Sequence, residues 1–376
     1  MKVLVIFGTR PEGVKLAPVI KKLQSDPTIE THICITAQHR QMLDQVLDVF
    51  QIQPDLDLNL MQHDQSLTDL TVNLFKGLSP VVKDLSPDWI LVQGDTTTVM
   101  VASLLAYYHR VKIGHVEAGL RTWDKWQPFP EEVNRQIAGA VADLHFAPTE
   151  KSQQNLLKEN VSEDKIIVTG NPVIDALNAI SKLETPAEIT NLLKQLKVYP
   201  QKEKQLILVT AHRRENFGQP IENICRALRR IAEAYANRLE LVYPVHLNPN
   251  IQQPVKRLLG EINNITLLEP LDYLPMISLM KHARIVLTDS GGIQEEATAL
   301  GIPTLVFREV TERPEGVEAG VLKLVGTDQD RIFKETSELL EDKEAYQRMA
   351  VAKNPFGDGH TAEKIVNALL AYTQNQ

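Results

Sequence analysis

Short apolar runs rich in β-branched residues recur along this chain, each followed by a stretch of helical periodicity. Val3–Phe7, Thr31–Thr36, Trp89–Val92, Lys112–Val116, Leu144–Ala147 and Lys165–Thr169 read as strands. Lys15–Gln24 and Val99–Tyr108 read as helices among them. The runs are apolar on both faces, the pattern of strands buried in a parallel sheet. Strands alternating with helices of ten or more residues imply right-handed crossovers. Gly170-Asn171-Pro172 breaks the series, and a polar helical stretch, Ala179–Tyr199, follows. A second series then runs through Gln205–Thr210, Leu239–Tyr243, Ile265–Leu268, Arg284–Leu287 and Thr304–Phe307, and Thr361–Tyr372 reads as a terminal helix. The expectation is an α/β protein of two Rossmann-like domains, 1–171 and 172–354. Such domains bind ligands at the carboxyl ends of their strands, here in a cleft faced by both sheets.

At 376 residues the chain is long enough for two or three cores. Its formal net charge of −8 argues against a nucleic-acid partner, which wants a basic field, but leaves room for a small anion in a local basic pocket. Cys34 and Cys225 sit in apolar surroundings and make no disulfide framework. The opening Met1–Gly8 is too short for a signal sequence and reads as the first strand. No apolar run approaches the roughly 20 residues of a membrane span. A cytoplasmic location and no membrane partner are expected.

The charged residues fall after the strands. Leu287–Ala297 reads as strand, glycine turn and helix start, an arrangement that aims backbone N–H groups and a positive helix end at one spot near Ser290, Gly291 and Gly292. A diphosphate suits that spot, and Glu296 is placed to accept bonds from ribose hydroxyls. After the first strand, Arg10 and Lys15 can reach a phosphate, or be plain solvated cations. No Gly-x-Gly-x-x-Gly follows any strand, so a dinucleotide is disfavoured. Asp95 and Glu117 end two strands, and Glu131 and Glu132 follow the stiff Pro128-Phe129-Pro130. Acids near one crevice divide acid and base work by shifting each other's pKa. Against this, Asp95 before three threonines can be a helix cap, and Glu132 with Arg135 a surface pair. His212, between a strand end and two arginines, suits proton transfer or phosphate binding; His246 has a similar place. Arg313 is a third candidate anion clamp. Asp55-Leu56-Asp57 has the look of a metal motif, but Leu56, Leu58 and Leu60 alternate as in an ordinary strand, and no metal is expected.

Together these stretches resemble the non-hydrolysing UDP-N-acetylglucosamine 2-epimerases. The carrying residues are Phe7–Glu12, Gln93–Thr98, His115–Thr122, Pro130–Arg135, Thr210–Asn216, Thr288–Glu296 and Thr311–Glu315, seven motifs in family order over nearly the whole chain. The resemblance implies the fold of the B-type glycosyltransferases, with the terminal segment 355–376 packed on the first domain. It implies interconversion of UDP-GlcNAc and UDP-ManNAc, the latter feeding cell-surface polysaccharide, without any cofactor. The C2 proton leaves with UDP to give a 2-acetamidoglucal, and UDP adds back after reprotonation on the other face. Asp95, Glu117, Glu131 and His212 are then catalytic. Arg10, Lys15, Arg135, Leu271, Met276, Ser290, Gly291, Gly292, Glu296 and Arg313 hold the nucleotide sugar. The cleft is expected to close to keep out water. The family also implies a homodimer and a second UDP-GlcNAc acting as activator, matched here by Gln38, Gln41, Glu131, Arg213 and His246. Asp64 departs from an arginine often found at that site, and Leu271 and Met276 depart from polar and aromatic residues. Gly13 replaces a usual alanine, a helix-weakening change of roughly 1 kcal/mol. The rival readings are a hydrolysing epimerase releasing ManNAc, a B-type glycosyltransferase, and a sugar-nucleotide sensor.

Overall fold

The apolar runs become strands because both of their faces are covered: Val3, Leu4, Val5, Ile6 and Phe7 are each fully buried. The computed structural model describes residues 1–36, 40–60 and 65–374. The chain divides into two compact units, Met1–Ala179 with Phe356–Gln376, and Ile180–Pro355.

The first unit is built on β1 (Lys2–Phe7), β2 (Glu30–Ile35), β3 (Leu56–Asp57), β4 (Trp89–Gln93), β5 (Lys112–Val116), β6 (Leu144–Ala147) and β7 (Ile166–Val168). They form one parallel sheet in the order β3-β2-β1-β4-β5-β6-β7. The second unit carries β8 (Gln205–Thr210), β9 (Leu239–Pro244), β10 (Ile265–Leu268), β11 (Ala283–Thr288), β12 (Thr304–Val306) and β13 (Leu322–Leu324). Their order is β10-β9-β8-β11-β12-β13, again all parallel. The doubly wound α/β architecture expected from the alternation is the one observed.

Three details differ from the pattern reading. Ala179–Tyr199 is not one helix, because Pro186 starts a second: Pro172–Ile180 and Ala187–Gln195 are separate. The long helix Leu67–Leu85, whose N-cap Ser66 accepts from Asp69 N, and the three-residue edge strand β13 carry too little contrast to stand out in the sequence. Of the Asp55-Leu56-Asp57 stretch only Leu56–Asp57 is strand, the short edge strand β3; Asp55 accepts from Ile33 N at 2.8 Å and Asp57 from Asn59 N at 3.2 Å. Both acids thus serve the backbone. Among the described residues no three His, Cys, Asp or Glu are grouped to hold a metal, and no helix is long and apolar enough to cross a membrane.

The helix Thr361–Gln374 joins the first unit through its N-terminus. Asp175 accepts from Thr361 N at 3.2 Å and Ala362 N at 2.9 Å, filling two of the helix's orphan donors. At its far end Tyr372 meets Trp89 edge-on, with ring centroids 5.2 Å apart. The turn before this helix is tied in by Asn171 N, which donates to Phe356 O at 2.7 Å.

Candidate active site

In each sheet the succession of strands reverses once, at β1/β4 and at β8/β11. Turns leaving such a point splay apart and open a crevice for ligand. The candidate residues gather at these two edges, one in each unit.

In the first unit the turn after β1 is filled from within. Glu12, 2% exposed, accepts from Gly8 N at 3.0 Å, Thr9 N at 2.7 Å, Thr9 Oγ1 at 2.8 Å and Thr96 Oγ1 at 2.7 Å. Burial pushes its pKa up, and these four bonds oppose the rise. Arg10 opens the following helix, Arg10–Gln24, and is half-buried. Lys15 lies farther along it, and its ammonium sits 2.7 Å from both oxygens of Glu117.

Glu117 follows β5 with φ +62, in the left-handed region that costs a side-chain-bearing residue strain. Its carboxylate, 4% exposed, is gripped from three elements. Besides Lys15 it accepts from Gln93 Nε2, the last residue of β4, and from Asn171 Nδ2 at 2.8 Å. His115, two residues earlier on β5, sets its Nε2 2.7 Å from Gly94 O. That contact makes Nε2 the protonated nitrogen, because a carbonyl only accepts. Burial holds the His115 pKa down to about 4, and its Nδ1 has no hydrogen-bond partner among the described residues.

Asp95 does not cap the helix Thr97–His109; Thr96 does, accepting from Val99 N at 3.3 Å. The Asp95 carboxylate instead pairs with Arg135 Nη2, while Asn134 Nδ2 donates to its carbonyl at 3.0 Å. Glu132 and Arg135 are not a surface pair. Glu132 is fully buried and takes Arg135 Nη1 at 3.2 Å, Thr122 N at 3.2 Å and Trp123 N at 3.1 Å. Glu131 starts the helix Glu131–Val141 with Oε2 buried and, among the described residues, without a hydrogen-bond partner. The fold thus brings Arg10, Lys15, Asp95, Glu117 and Arg135 to the adjacent ends of β1, β4 and β5, with Glu131 on the helix whose Asn134 and Arg135 hold Asp95.

In the second unit Asp289, 0% exposed, organises the turn after β8. It accepts from His212 N at 2.9 Å, Arg213 N at 2.9 Å and Asn216 Nδ2 at 2.8 Å. Tyr243 donates its hydroxyl to Ala211 O at 2.9 Å from beneath. His212 is left on top with its side chain 42% exposed, its ring stacked on His246 at 5.7 Å. Partial desolvation lowers the His212 pKa; Asp289 opposes this and His246 adds to it.

The helix Gly291–Ala299 begins beside this loop. Among the described residues its N-cap Ser290 makes no side-chain capping bond, and nothing stands within 4 Å of where a Cβ on Gly292 would lie. A Cβ on Gly291 would lie 3.7 Å from Arg213 Nη2 and 3.9 Å from Arg313 Nη2. Two guanidinium groups therefore flank a helix start. Arg313 is aimed by the buried Glu295, which accepts from its Nε, and Arg213 by Glu312 at 3.2 Å. Burial raises the Glu312 pKa, but Arg213 and Arg308 outweigh it and hold the carboxyl at about 2. Glu296 is buried in the same helix; Leu271 and Met276, before and within the helix Tyr273–Met280, are half-buried. Gln38, Asp64 and the side chain of Gln41 lie outside the described residues.

The groups that hold these candidates were not singled out from the sequence: Glu12, Gln93, Asn171, Asp289 and Glu295. Gln93 did carry a signal, a lone polar residue at the end of an otherwise apolar buried strand.

A family model described as UDP-N-acetylglucosamine 2-epimerase matches residues 21–370. A UDP-N-acetylglucosamine 2-epimerase of Salmonella typhimurium is 53% identical over 373 residues, covering 99% of both chains. The crystal structure of a Neisseria meningitidis UDP-GlcNAc 2-epimerase bound to UDP-GlcNAc superposes with a TM-score of 0.90 at 49% identity, over 99% of this chain and 100% of that one. The Methanocaldococcus jannaschii enzyme, in complex with UDP-GlcNAc and UDP, gives 0.81 at 33% identity, over 99% and 100%. The two-sheet α/β fold is the B-type glycosyltransferase fold of these enzymes. With a family model spanning most of its length and half of its residues shared with named relatives, the chain belongs to the UDP-N-acetylglucosamine 2-epimerase family.

Proposed function

We propose that the protein epimerises UDP-GlcNAc to UDP-ManNAc at C2 by elimination and re-addition of UDP. One observation carries the reading: a chain 53% identical over its length to a named epimerase keeps three acids, Asp95, Glu117 and Glu131, at one sheet edge and its helix turn. The C2 proton passes to a protein base as the C1–O bond to UDP breaks, leaving a C1=C2 double bond. A proton is then delivered to C2 from the opposite face, and a UDP oxygen closes on C1. Proton removal and return on two faces need two groups at least. UDP leaves as an anion and is held meanwhile by His212, Arg213, Arg313 and the start of the helix Gly291–Ala299. The buried Glu296 takes the ribose hydroxyls, and Leu271 and Met276 face the uracil. A homodimer, activation by a second UDP-GlcNAc, and a cytoplasmic location are parts of the reading supported by the family likeness.

The test is incubation with UDP-GlcNAc in D2O, followed at C2 by NMR. Deuterium at C2 together with UDP-ManNAc is the expected result. Free ManNAc instead identifies a hydrolase, and an unexchanged C2 in tightly bound substrate overturns the reading.

A further inference from the structure

We propose that Gln93 and Asn171 are positioning residues which, with Lys15, clamp the Glu117 carboxylate in a single orientation at the edge of the first sheet. The proposal rests on the epimerase reading and specifies how one of its acids is held.

A carboxylate offers about four lone-pair directions. At Glu117, Oε1 takes Lys15 and Asn171, and Oε2 takes Lys15 and Gln93. The donors come from the first helix, from β4 and from the turn after β7, so rotation about the terminal torsion breaks bonds on several sides at once. The side chain has almost no exposure through which water can replace them. The backbone carries strain at φ +62, which persists only where surrounding contacts over-determine it.

Asn171 is itself fixed. Its Oδ1 accepts from Val173 N at 3.1 Å, and its backbone N–H donates to Phe356 O. The amide is thereby oriented with nitrogen toward Glu117. Gln93 is 2% exposed and ends a strand of apolar residues, where an unpaired amide is costly. A buried amide whose visible use is to grip a catalytic candidate has a reason to be there.

On the first helix Glu12 is held by Gly8, Thr9 and Thr96, and Arg10 opens the same helix. Lys15 of the first helix is in direct contact. His115 on β5 is neutral above about pH 4. Arg135 of the helix Glu131–Val141 is paired with Asp95 after β4 and with Glu132, and Arg121, after β5, is paired with Glu159 at 2.6 Å. Arg135 and Arg121 are thus engaged by other acids, and a carboxyl that loses a hydrogen-bond donor binds its proton more tightly.

Asn171→Asp keeps the oxygen that caps Val173 N but replaces the donor with a like charge. Gln93→Met removes the other amide at similar volume. Carboxyl 13C NMR of labelled protein, with the Glu117 signal assigned by its loss in Glu117→Gln, reads the titration directly. The midpoint of Glu117 is expected to rise by about one pH unit or more in either variant. Turnover at pH 7 is expected to fall about tenfold or more, with the acidic limb of the kcat profile moved upward and the UDP dissociation constant unchanged. An unmoved Glu117 midpoint in both folded variants overturns the proposal, as does an equal loss of UDP affinity. A shifted midpoint in a protein whose wild type exchanges no C2 proton leaves the clamp standing and removes the epimerase reading instead.

Discussion

The turn after β1 and the turn after β11 have the same construction, a buried parallel strand leading through small residues into a helix, and they are used in opposite ways. In the first unit the helix start is occupied by the chain's own anion, Glu12, which takes the N–H groups of Gly8 and Thr9. In the second, among the described residues, the helix start lacks a side-chain cap, is free of bulk at Gly292, and is flanked by two guanidinium groups. A helix N-terminus becomes a ligand site only where the protein has not already neutralised it. The contrast extends outward. The first edge pairs buried charges with one another, Lys15 with Glu117 and Arg135 with Asp95 and Glu132, and the second is a scaffold of buried acids holding basic groups beside a helix start.

Acid should strike the first edge hardest. The unfolded chain protonates His115 near pH 6.5, whereas burial in the folded protein delays this to about pH 4. Through that window the unfolded state binds more protons. Folding stability is thus complete above pH 6.5 and falls as the pH drops toward 4, by about 3 kcal/mol for this residue. Urea unfolding of the first unit across that range measures it; a slope that is not reduced in His115→Gln, which keeps a donor for Gly94 O, breaks this half of the contrast.

Arg313→Ala tests the other half. It removes a charge-assisted anion contact and leaves Glu295 without the guanidinium that Nε supplies, so UDP affinity should weaken about 30-fold, roughly 2 kcal/mol. Arg10→Ala, at the self-filled turn, should cost less than a factor of about five. Calorimetric titration with UDP compares them, and equal losses would erase the distinction.

Glu12→Gln sets an amide N–H against donors that now meet a carboxylate. Unfolding stability should drop by about 1–2 kcal/mol with UDP affinity unchanged. The smallest effect belongs to Gly13→Ala. The helix gains roughly 1 kcal/mol in propensity, but a Cβ there meets Leu43 Cδ1 at 2.8 Å, so the gain is offset by displacing a flexible chain end. A urea midpoint change beyond about 1 kcal/mol in either direction would show that one term dominates. Gly13 is therefore more than a weak helix residue: it admits the close approach of Leu43.

The sequence made the two sheets legible because strands such as Val3–Phe7 and Trp89–Val92 are apolar on both faces and helices of recognisable length separate them. Placement of Asp95, Glu117, His212 and Ser290 at strand ends followed directly from that alternation. What pattern does not reveal is pairing across long separations. Lys15 meets Glu117 rather than standing free, Arg135 bridges Asp95 and a buried Glu132, and Asn171, which reads as a chain break, reaches back to Glu117. Such contacts depend on the three-dimensional juxtaposition of β1, β4, β5 and β7, and a residue's charge alone does not say whether it faces solvent or another side chain.

The bond from Asn171 N to Phe356 O has a consequence for how the protein comes into being. Phe356 emerges from the ribosome only after the whole second unit, yet the turn it belongs to braces the residue that grips Glu117. Domains ordinarily fold in the order of synthesis. Here the earlier-made unit has to wait, its reactive edge left unbraced until the final stretch of polypeptide arrives, so a nascent or truncated chain should be inert before it is unstable.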